Sequence, residues 1–338
     1  MNRKNNKAAA FVLAVIMLLA VFSGCNNQQV TSSSASTDAS INQSTSEIED
    51  SSQDVEQESK TVVDDLGREV TIPAKPQRIL ALVSARMEDL FNLGITPVGK
   101  VDEYKIRQEG IDLPSVGSAT NINIEAIYQL KPDLIIAHSR NQGSIAEALE
   151  ETGFPVYYFD PVVDTETSED DVLMFLADLL GKKEEAEAYV GQINAFAEDY
   201  KEQIAAQTDI KTAVIIRDGD TITAAQTASG FGSVLTALGL ENVVPEGLPG
   251  SSTSTFVAFD IETILEKNPD IVLVMATSND KEENQALLTK YMNDPKWASL
   301  DAVKENRLMI LPFKVNPNRS TREQMIQLTA EKILSSVQ

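Results

Sequence analysis

One helix-into-strand element occurs twice in this chain of 338 residues. Residues 124–136 read IEAIYQLKPDLII, and residues 261–273 read IETILEKNPDIVL. In each copy an amphipathic helix runs into Pro-Asp, and a β-branched run typical of a buried strand follows. A second pair of similar segments, residues 84–95 and 229–240, keeps the same order and nearly the same spacing. The duplication predicts two similar α/β lobes.

The order of the predicted elements favours a mostly parallel sheet in each lobe. Residues 61–72 alternate and turn at Leu66-Gly67, as a β-hairpin does, and beyond them strand patterns alternate with helix patterns. A helical stripe from Tyr189 to Ile204 then predicts a helix of about 24 residues and roughly 36 Å. We predict a first lobe over residues 61–168, a bridging helix region over 169–209 and a second lobe over 210–338.

The N-terminus has the pattern of a secretory signal. In residues 1–24, three cations precede an apolar run that ends at Phe22 and is too short for a comfortable membrane span. Phe-Ser-Gly-Cys resembles a bacterial lipobox, in which the cysteine is lipidated, although that pattern prefers Leu where Phe22 stands. A cleaved signal with an incidental Cys25 is the alternative. Residues 25–60 are too poor in apolar residues to fold, which predicts a disordered tether and an extracytoplasmic protein anchored by lipid at the cell membrane.

The composition excludes several classes of function. A formal net charge of −23 disfavours a nucleic-acid partner, because phosphate binding needs a basic surface. The chain has one cysteine and one histidine, so it has neither a disulfide framework nor the ligand set of a zinc or manganese receptor. No hydrolase triad is assembled. We therefore predict a protein that is not an enzyme and that holds no resident metal or cofactor.

Four arginines are the strongest candidates for ligand binding. Arg86, Arg140 and Arg217 directly follow predicted strands, and ligands of open α/β sheets gather beyond the carboxyl ends of the strands. Arg319 lies in the loop before the last helix. Guanidinium groups are planar, permanently charged and suited to carboxylate or catecholate oxygens. Four of them facing one cleft would hold a polyanionic chelate; the alternative is that they pair with the many surface acids.

Neighbouring residues are candidates for the walls of such a pocket. They are Tyr104, Met87, Phe231, Lys314 and Arg322. For Met87 and Phe231, packing in the core is the simpler interpretation. His138 follows a predicted strand and is a candidate iron or haem ligand, with an ordinary polar role as the alternative.

Several linked segments resemble the iron-complex substrate-binding proteins of ABC importers, which include receptors for ferric siderophores, haem and cobalamin. The segments are Pro-x-Arg-Ile at 76–79, the Asn-Ile-Glu and Asp-Ile-Glu helix starts, residues 297–307 and Asn-Pro-Asn-Arg at 316–319. The resemblance covers essentially all of residues 61–338. It implies two Rossmann-like α/β lobes with central, mostly parallel sheets, joined by a single long α-helix, with the ligand in the cleft between the lobes. The strand end at residues 275–278 lacks the axial histidine of the haem-binding members, which counts against haem.

Glu125 and Glu262 take the same place in the two copies of the repeat, in the first turn of a helix. A carboxylate there offsets the helix dipole, and this role alone explains both residues. The resemblance implies a further role, in which one glutamate on each lobe docks onto the ABC permease dimer that works with its ATPase subunits.

These features together predict a lipid-anchored receptor that binds an iron complex, most simply a ferric siderophore, and delivers it to an ABC permease. A haem or cobalamin receptor of the same family is the nearest alternative. A chelatase-like tetrapyrrole enzyme and a tethered sensor without transport are the others, and the scarcity of histidine argues against the enzyme.

Overall fold

The computed structural model describes residues 58–159 and 167–337, so the predicted signal peptide, Cys25 and nearly all of the predicted tether lie outside the described residues. The strands are β1 Ser59–Val63, β2 Glu69–Pro73, β3 Ile79–Ala81, β4 Gly117–Ser118, β5 Asn121–Ile122, β6 Leu134–His138, β7 Val156–Phe159, β8 Thr212–Arg217, β9 Thr223–Ala225, β10 Glu241–Asn242, β11 Phe256–Ala258, β12 Ile271–Met275 and β13 Leu308–Leu311. The helices are α1 Ser84–Asn92, α2 Gln108–Ile111, α3 Ile124–Leu130, α4 Ser139–Gln142, α5 Ala146–Glu150, α6 Glu169–Leu180, α7 Lys183–Gln207, α8 Ser233–Ala237, α9 Ile261–Lys267, α10 Lys281–Met292, α11 Asp301–Lys304 and α12 Arg322–Leu334. Short 3-10 turns occupy Gly143–Ile145, Trp297–Ser299 and Ser335–Val337.

The first lobe is built on a parallel sheet in the order β3-β6-β7. All residues of its central strand β6 are buried, as expected of a parallel strand covered on both faces. The predicted hairpin at the start of the lobe is present as the antiparallel pair β1-β2. Its turn includes Gly67 with a φ of 76°, a conformation that glycine adopts without steric cost.

The second lobe contains a larger sheet in the order β11-β9-β8-β12-β13, with β10 also paired to β8. The pairs of β8 with β10 and β12, and of β12 with β13, are parallel, whereas β9 and β11 are antiparallel additions. Asp218-Gly219 lies in the β8-β9 hairpin connection. Both lobes therefore carry a mostly parallel sheet, as the sequence predicts.

The sequence repeat is also a structural repeat. α3 and α9 have seven residues each, and the side chains of Asn123 and Asp260 cap them by accepting a hydrogen bond from the backbone N–H three residues later. Both helices end at a residue in the left-handed conformation, Lys131 with a φ of 47° and Asn268 with a φ of 43°. The prolines that follow cannot continue either helix.

The aspartates of the two Pro-Asp pairs fasten each strand to its neighbour. The carboxylate of Asp133 accepts hydrogen bonds of 2.7 and 2.9 Å from the two backbone N–H groups that precede β3. The carboxylate of Asp270 accepts two hydrogen bonds of 2.8 Å from the backbone N–H groups at the start of β8. The Pro-Asp motif thus explains both the end of the helix and the placement of the adjacent strand.

A long helix joins the two lobes. α7 has 25 residues, and a left-handed glycine, Gly181, lies between it and α6. Near its start, Ala186 packs in the core of the first lobe, whereas Ile193, Ala197 and Ile204 pack in the second. Within the described ranges, no helix is long and apolar enough to cross a membrane.

Candidate ligand-binding cleft

A cavity of about 660 Å³ lies between the lobes. Its first-lobe wall comes from the residues just after β3 and β6 and from two loops, around residues 103–105 and 119–120. Its second-lobe wall is the loop of residues 316–319, between β13 and α12. The volume suits a small molecule, and the position beyond the strand ends is the usual ligand site of open α/β sheets.

The lining of the cavity is locally positive although the protein is strongly acidic. Arg140, Arg319 and Lys105 are its cations, and Glu103 is its one anion within the described part of the chain. The carboxylate of Glu103 is already engaged, because it accepts a hydrogen bond of 3.0 Å from the backbone N–H of Ala119. The sequence analysis did not single out Lys105, although a cation in so acidic a chain was a usable signal.

Arg140 joins the first-lobe wall of the cavity to a second-lobe loop outside the lining. It belongs to α4, which begins directly after β6. Its Nη2 donates a hydrogen bond of 2.5 Å to the main-chain carbonyl of Thr253, in the second-lobe loop before β11. The strand-end rule therefore placed this residue correctly at the cleft.

Arg319 is presented by a tight turn. The side chain of Asn316 accepts a hydrogen bond of 2.9 Å from the backbone N–H of Asn318, and its carbonyl accepts one of 2.8 Å from the N–H of Arg319. The guanidinium carbon of Arg319 lies 4.3 Å from the ring centroid of Phe313. The Asn-Pro-Asn-Arg segment thus holds an exposed guanidinium at the cavity.

Arg86 and Arg217 do not line this cavity. Arg86 is only 6% exposed; its Nε lies 3.0 Å from a carboxylate oxygen of Asp89, and its guanidinium carbon lies 5.2 Å from the ring centroid of Phe159. Arg217 stays exposed at the end of β8, with its guanidinium carbon 3.9 Å from the ring centroid of Phe256, and partial burial lowers its pKa. The four predicted arginines therefore do not form one cluster.

The structure corrects the predicted role of Tyr104. Its side chain has no exposed surface, and its hydroxyl donates a hydrogen bond of 2.7 Å to Glu88. Burial raises the pKa of Tyr104, and the hydrogen bond to Glu88 raises it further. A fully buried ring cannot form a pocket wall, so Tyr104 is a core residue.

The other predicted wall residues lie outside the lining as well. Met87 has no exposed surface, and Phe231 packs on Phe256 with ring centroids 4.9 Å apart, so both belong to the core. Lys314 is exposed and shares the β13–α12 connection with Arg319 but is not part of the lining. Arg322 borders a separate, smaller cavity of about 80 Å³ together with Arg86.

His138 lines the cavity but is only 6% exposed. It ends β6, and its backbone N–H donates a hydrogen bond of 2.8 Å to the side chain of Gln142. Across the described residues, no three His, Cys, Asp or Glu side chains are grouped so that they could hold a metal ion. The described lining therefore combines three cations with a nearly buried histidine and one carboxylate.

Two buried glutamines, which the sequence analysis missed, support the first-lobe wall and the second-lobe loop that contains Thr253. The side-chain amide of Gln142 donates hydrogen bonds to the carbonyls of Leu82 (3.2 Å) and Ala119 (2.5 Å). In the second lobe, the amide of Gln226 donates to the carbonyls of Ser251 (2.8 Å) and Ser254, on either side of Thr253. A glutamine in a loop or a short helix carries no sequence signal of such a role.

Glu125 and Glu262 are both exposed in the first turns of α3 and α9. Short connections join these helices to β6 and β12. Glu262 pairs with Lys296, at 2.5 Å between carboxylate oxygen and Nζ, and this hydrogen bond holds the pKa of Glu262 below its ordinary value. Glu125 forms no ion pair with any residue that the structure describes.

Comparison with known proteins decides the family. Residues 79–315 match the model of a family described as periplasmic binding protein. The chain belongs to this family. It is therefore a substrate-binding protein and not an enzyme, as the sequence predicts.

Relatives of this periplasmic binding protein include proteins named for iron uptake. The Fe(3+)-citrate-binding protein YfmC of Bacillus subtilis (strain 168) is 24% identical over 320 residues, which are 91% of this chain and 90% of YfmC. The high-affinity heme uptake system protein IsdE of Staphylococcus aureus (strain MRSA252) is 23% identical over 256 residues, which are 74% of this chain and 85% of IsdE. The names of the two relatives thus differ in the iron complex.

The solved structure of Staphylococcus aureus SirA complexed with staphyloferrin B is similar to this chain, with a TM-score of 0.61 and 22% identity. The match covers 81% of this chain and 98% of the SirA chain. It confirms the predicted fold of two α/β lobes with mostly parallel sheets, joined by a long helix around a central cleft.

Proposed function

We propose that this periplasmic binding protein is an extracytoplasmic receptor that binds a ferric siderophore in its cleft and delivers it to an ABC importer. The observation that carries the proposal is that Arg140, Arg319 and Lys105 line one cavity between the lobes. Anionic oxygens at the surface of an iron(III) chelate are what guanidinium groups recognise with paired hydrogen bonds. The names of YfmC and of the SirA complex support this proposal.

Iron would enter the cleft as cargo inside its chelator. The described residues offer no cluster of metal-binding side chains, so recognition would be directed at the organic shell of the complex. His138 would act as a wall residue, because it is almost fully buried at the end of β6. Long-range attraction by the cations would also speed the capture of an anionic complex from dilute solution.

Delivery would depend on Glu125 and Glu262. Their equivalent places on the two lobes give the receptor one exposed carboxylate on each side of the cleft. Glu125 and Glu262 would match two equivalent basic sites on a permease dimer. This dimer would work with its ATPase subunits. Lipidation of Cys25 would keep the receptor at the cell membrane near the permease, because several acyl chains on one residue anchor a protein firmly.

A haem receptor is the second candidate, and the name of IsdE favours it. Its weakness is the lack of an exposed histidine in the described residues, since His138 is the chain's only histidine and is 6% exposed. Addition of hemin to the purified protein separates the two candidates. An axial ligand from the protein would shift the Soret band, whereas a siderophore receptor would leave it unchanged.

Isothermal titration calorimetry tests the ligand side of the proposal. The panel comprises ferric complexes of carboxylate, catecholate and hydroxamate chelators, with hemin and cobalamin as further ligands. We expect binding of at least one ferric siderophore class, weakened by salt as for any recognition dominated by charge. Binding to no member of the panel would overturn the proposed function.

Charge reversal tests the delivery side. The double variant Glu125→Lys, Glu262→Lys is expected to abolish iron uptake by cells while the affinity for the ligand stays unchanged. The matched control is Glu184→Lys, Glu187→Lys, which reverses two charges on the bridging helix. Normal uptake by the first double variant would remove the docking proposal and leave ligand binding intact.

A further inference from the structure

We propose that the ligand of this cleft is a carboxylate-type ferric chelate, in which α-hydroxycarboxylate and carboxylate groups provide the iron ligands and the outer oxygens. The inference rests on the proposed function and narrows it to one class of chelator. Catecholate, hydroxamate and tetrapyrrole ligands present different surfaces, and the residues around the cleft discriminate among them.

The aromatic rings near the strand ends are covered by guanidinium groups. Three of the four arginines that the sequence singled out each lie over one phenylalanine ring. The pairs are Arg86 with Phe159, Arg217 with Phe256 and Arg319 with Phe313. Only the pair of Arg319 with Phe313 lies at the cavity, because Arg86 and Arg217 do not line it. Catechol and porphyrin rings gain affinity by packing on aromatic faces. In this protein a ligand at Arg319 meets a cation in front of the ring, which suits a carboxylate better than an aromatic group.

The lining combines the small apolar residues Val83, Ala85 and Ala119 with short polar groups, where binding pockets commonly provide large aromatic ones. Among the described residues no Phe, Tyr or Trp side chain lines the cavity. Hydroxyl and amide groups take their place, from Ser84, Thr120, Asn141, Asn316 and Asn318. These groups donate hydrogen bonds to carboxylate oxygens, and they both donate to and accept from hydroxyl groups, but they give a flat aromatic ligand no ring to pack on.

The balance of charge points the same way. Arg140, Arg319 and Lys105 oppose only Glu103 in the described lining, and Glu103 already accepts a backbone hydrogen bond. A neutral ferric hydroxamate would leave these cations partly desolvated without an anionic partner, which is costly. A carboxylate chelate with a net negative charge would pair them. Arg140 and Arg319 are held in place by Thr253 and Phe313, so less side-chain entropy is lost on binding.

The test is a calorimetric comparison of four probes with the full mature protein: ferric citrate, a ferric tris-catecholate, a ferric trihydroxamate and hemin. We expect the citrate complex to bind at least about 100-fold more tightly than the other three. Tighter binding of the catecholate, the hydroxamate or hemin would overturn this inference while leaving the receptor function in place. Binding of none of the four would overturn both.

A pair of variants tests the covered ring directly. Arg319→Ala removes a cation and uncovers Phe313, whereas Lys105→Met removes a cation and uncovers no ring in the described cavity. Both variants are expected to lose at least tenfold in affinity for ferric citrate. The ratio of catecholate affinity to citrate affinity is expected to rise in Arg319→Ala. This rise should be at least about fivefold larger than any rise in Lys105→Met. Equal ratios in the two variants, with unchanged thermal unfolding, would contradict the proposed role of the ring.

Discussion

The guanidinium of Arg140 donates a hydrogen bond of 2.5 Å to the main-chain carbonyl of Thr253, although the two residues are 113 positions apart. The bond joins the helix that follows β6, at the first-lobe wall of the cavity, to a second-lobe loop outside the lining. It therefore has two expected consequences, one for the order of the loop and one for ligand binding.

Arg140→Lys keeps the charge but loses the planar, multiply donating group. We expect this variant to bind the ferric ligand about tenfold more weakly, since one hydrogen bond to a charged group contributes about 1.5–3 kcal/mol and only part of it is lost. Backbone amides of residues 250–255 should exchange with deuterium faster, because the carbonyl of Thr253 loses its partner. Lys183→Arg on the exposed face of the bridging helix is the control and should change neither quantity. Unchanged deuterium exchange in Arg140→Lys would contradict the role of the Arg140–Thr253 hydrogen bond in ordering this loop.

Gln142 offers a test of how the first-lobe wall is supported. Gln142→Glu has nearly the same shape, but it replaces an amide that donates to the carbonyls of Leu82 and Ala119 by a group that repels them. We expect a loss of stability of about 2–4 kcal/mol, because two buried carbonyls lose their donor, together with weaker ligand binding. Denaturant unfolding measures the first effect. Gln203→Glu is the control, since the amide of Gln203 makes a single hydrogen bond on an exposed helix face. A similar loss of stability in both variants would contradict the role of Gln142 in supporting the first-lobe wall.

Asp270 makes the stability of the second lobe dependent on pH. Burial acts to raise the pKa of Asp270, but hydrogen bonds from the backbone of Lys211 and Thr212 outweigh it and hold the pKa below the ordinary value of 3.8. A carboxyl with a depressed folded-state pKa stabilises the protein above its unfolded-state pKa, and this contribution is lost as the pH falls through the folded-state value. Asp270→Asn should therefore be less stable than the natural protein by about 2 kcal/mol at pH 7, and the difference should shrink below about pH 4. A stability difference that does not change with pH would show that the ionised carboxylate of Asp270 is not the stabilising form.

The fold followed from local signals that occur in the chain itself. The apolar run of β6 predicted a buried strand, and the Pro-Asp pairs predicted the end of each helix, because both features act through neighbouring residues. Their further role, in which Asp133 and Asp270 hold the adjacent strand, depends on residues more than fifty positions away and was not predicted.

The site was only partly predictable for the same reason. The strand-end rule located Arg140, yet it failed for Arg86, because α1 begins almost directly after β3 and turns that side chain toward Asp89 three residues later. It also failed for Arg217, because β8 continues into an antiparallel hairpin with β9. Lys105 reaches the cavity through loop geometry that no periodicity encodes.

Lys296 is expected to act on the proposed docking residue of the second lobe. Its hydrogen bond lowers the pKa of Glu262, so Lys296→Met should let that pKa rise toward its ordinary value. Carboxyl-detected NMR titration measures the change. Lys304→Met, which removes a similar exposed partner of Asp301, is the control and should leave Glu262 unchanged. An identical titration of Glu262 in Lys296→Met and the natural protein would show that the pair does not form in solution.

Arg322 fastens the start of the bridging region to the second lobe. It begins α12, and its guanidinium pairs with Asp170 and, at 3.6 Å, with Glu169, both in the first turn of α6. The arginine side chain is only 16% exposed, so the pair is partly shielded from solvent, and its loss leaves two partly exposed carboxylates without this partner. This attachment, with the rigid α7, explains why we expect little lobe motion on ligand binding.

Arg322→Met should lower stability by about 2–4 kcal/mol, somewhat less than a fully buried pair because the acids are partly exposed. Residues 168–175 should exchange deuterium faster, and a double-mutant cycle with Asp170→Asn should show that the two effects are not additive. In small-angle scattering, the radius of gyration of the natural protein should change little when ligand is added. The radius of gyration of Arg322→Met should decrease measurably when ligand is added. Large compaction of the natural protein would show that the attachment does not restrain the lobes, whatever the stability of the variant.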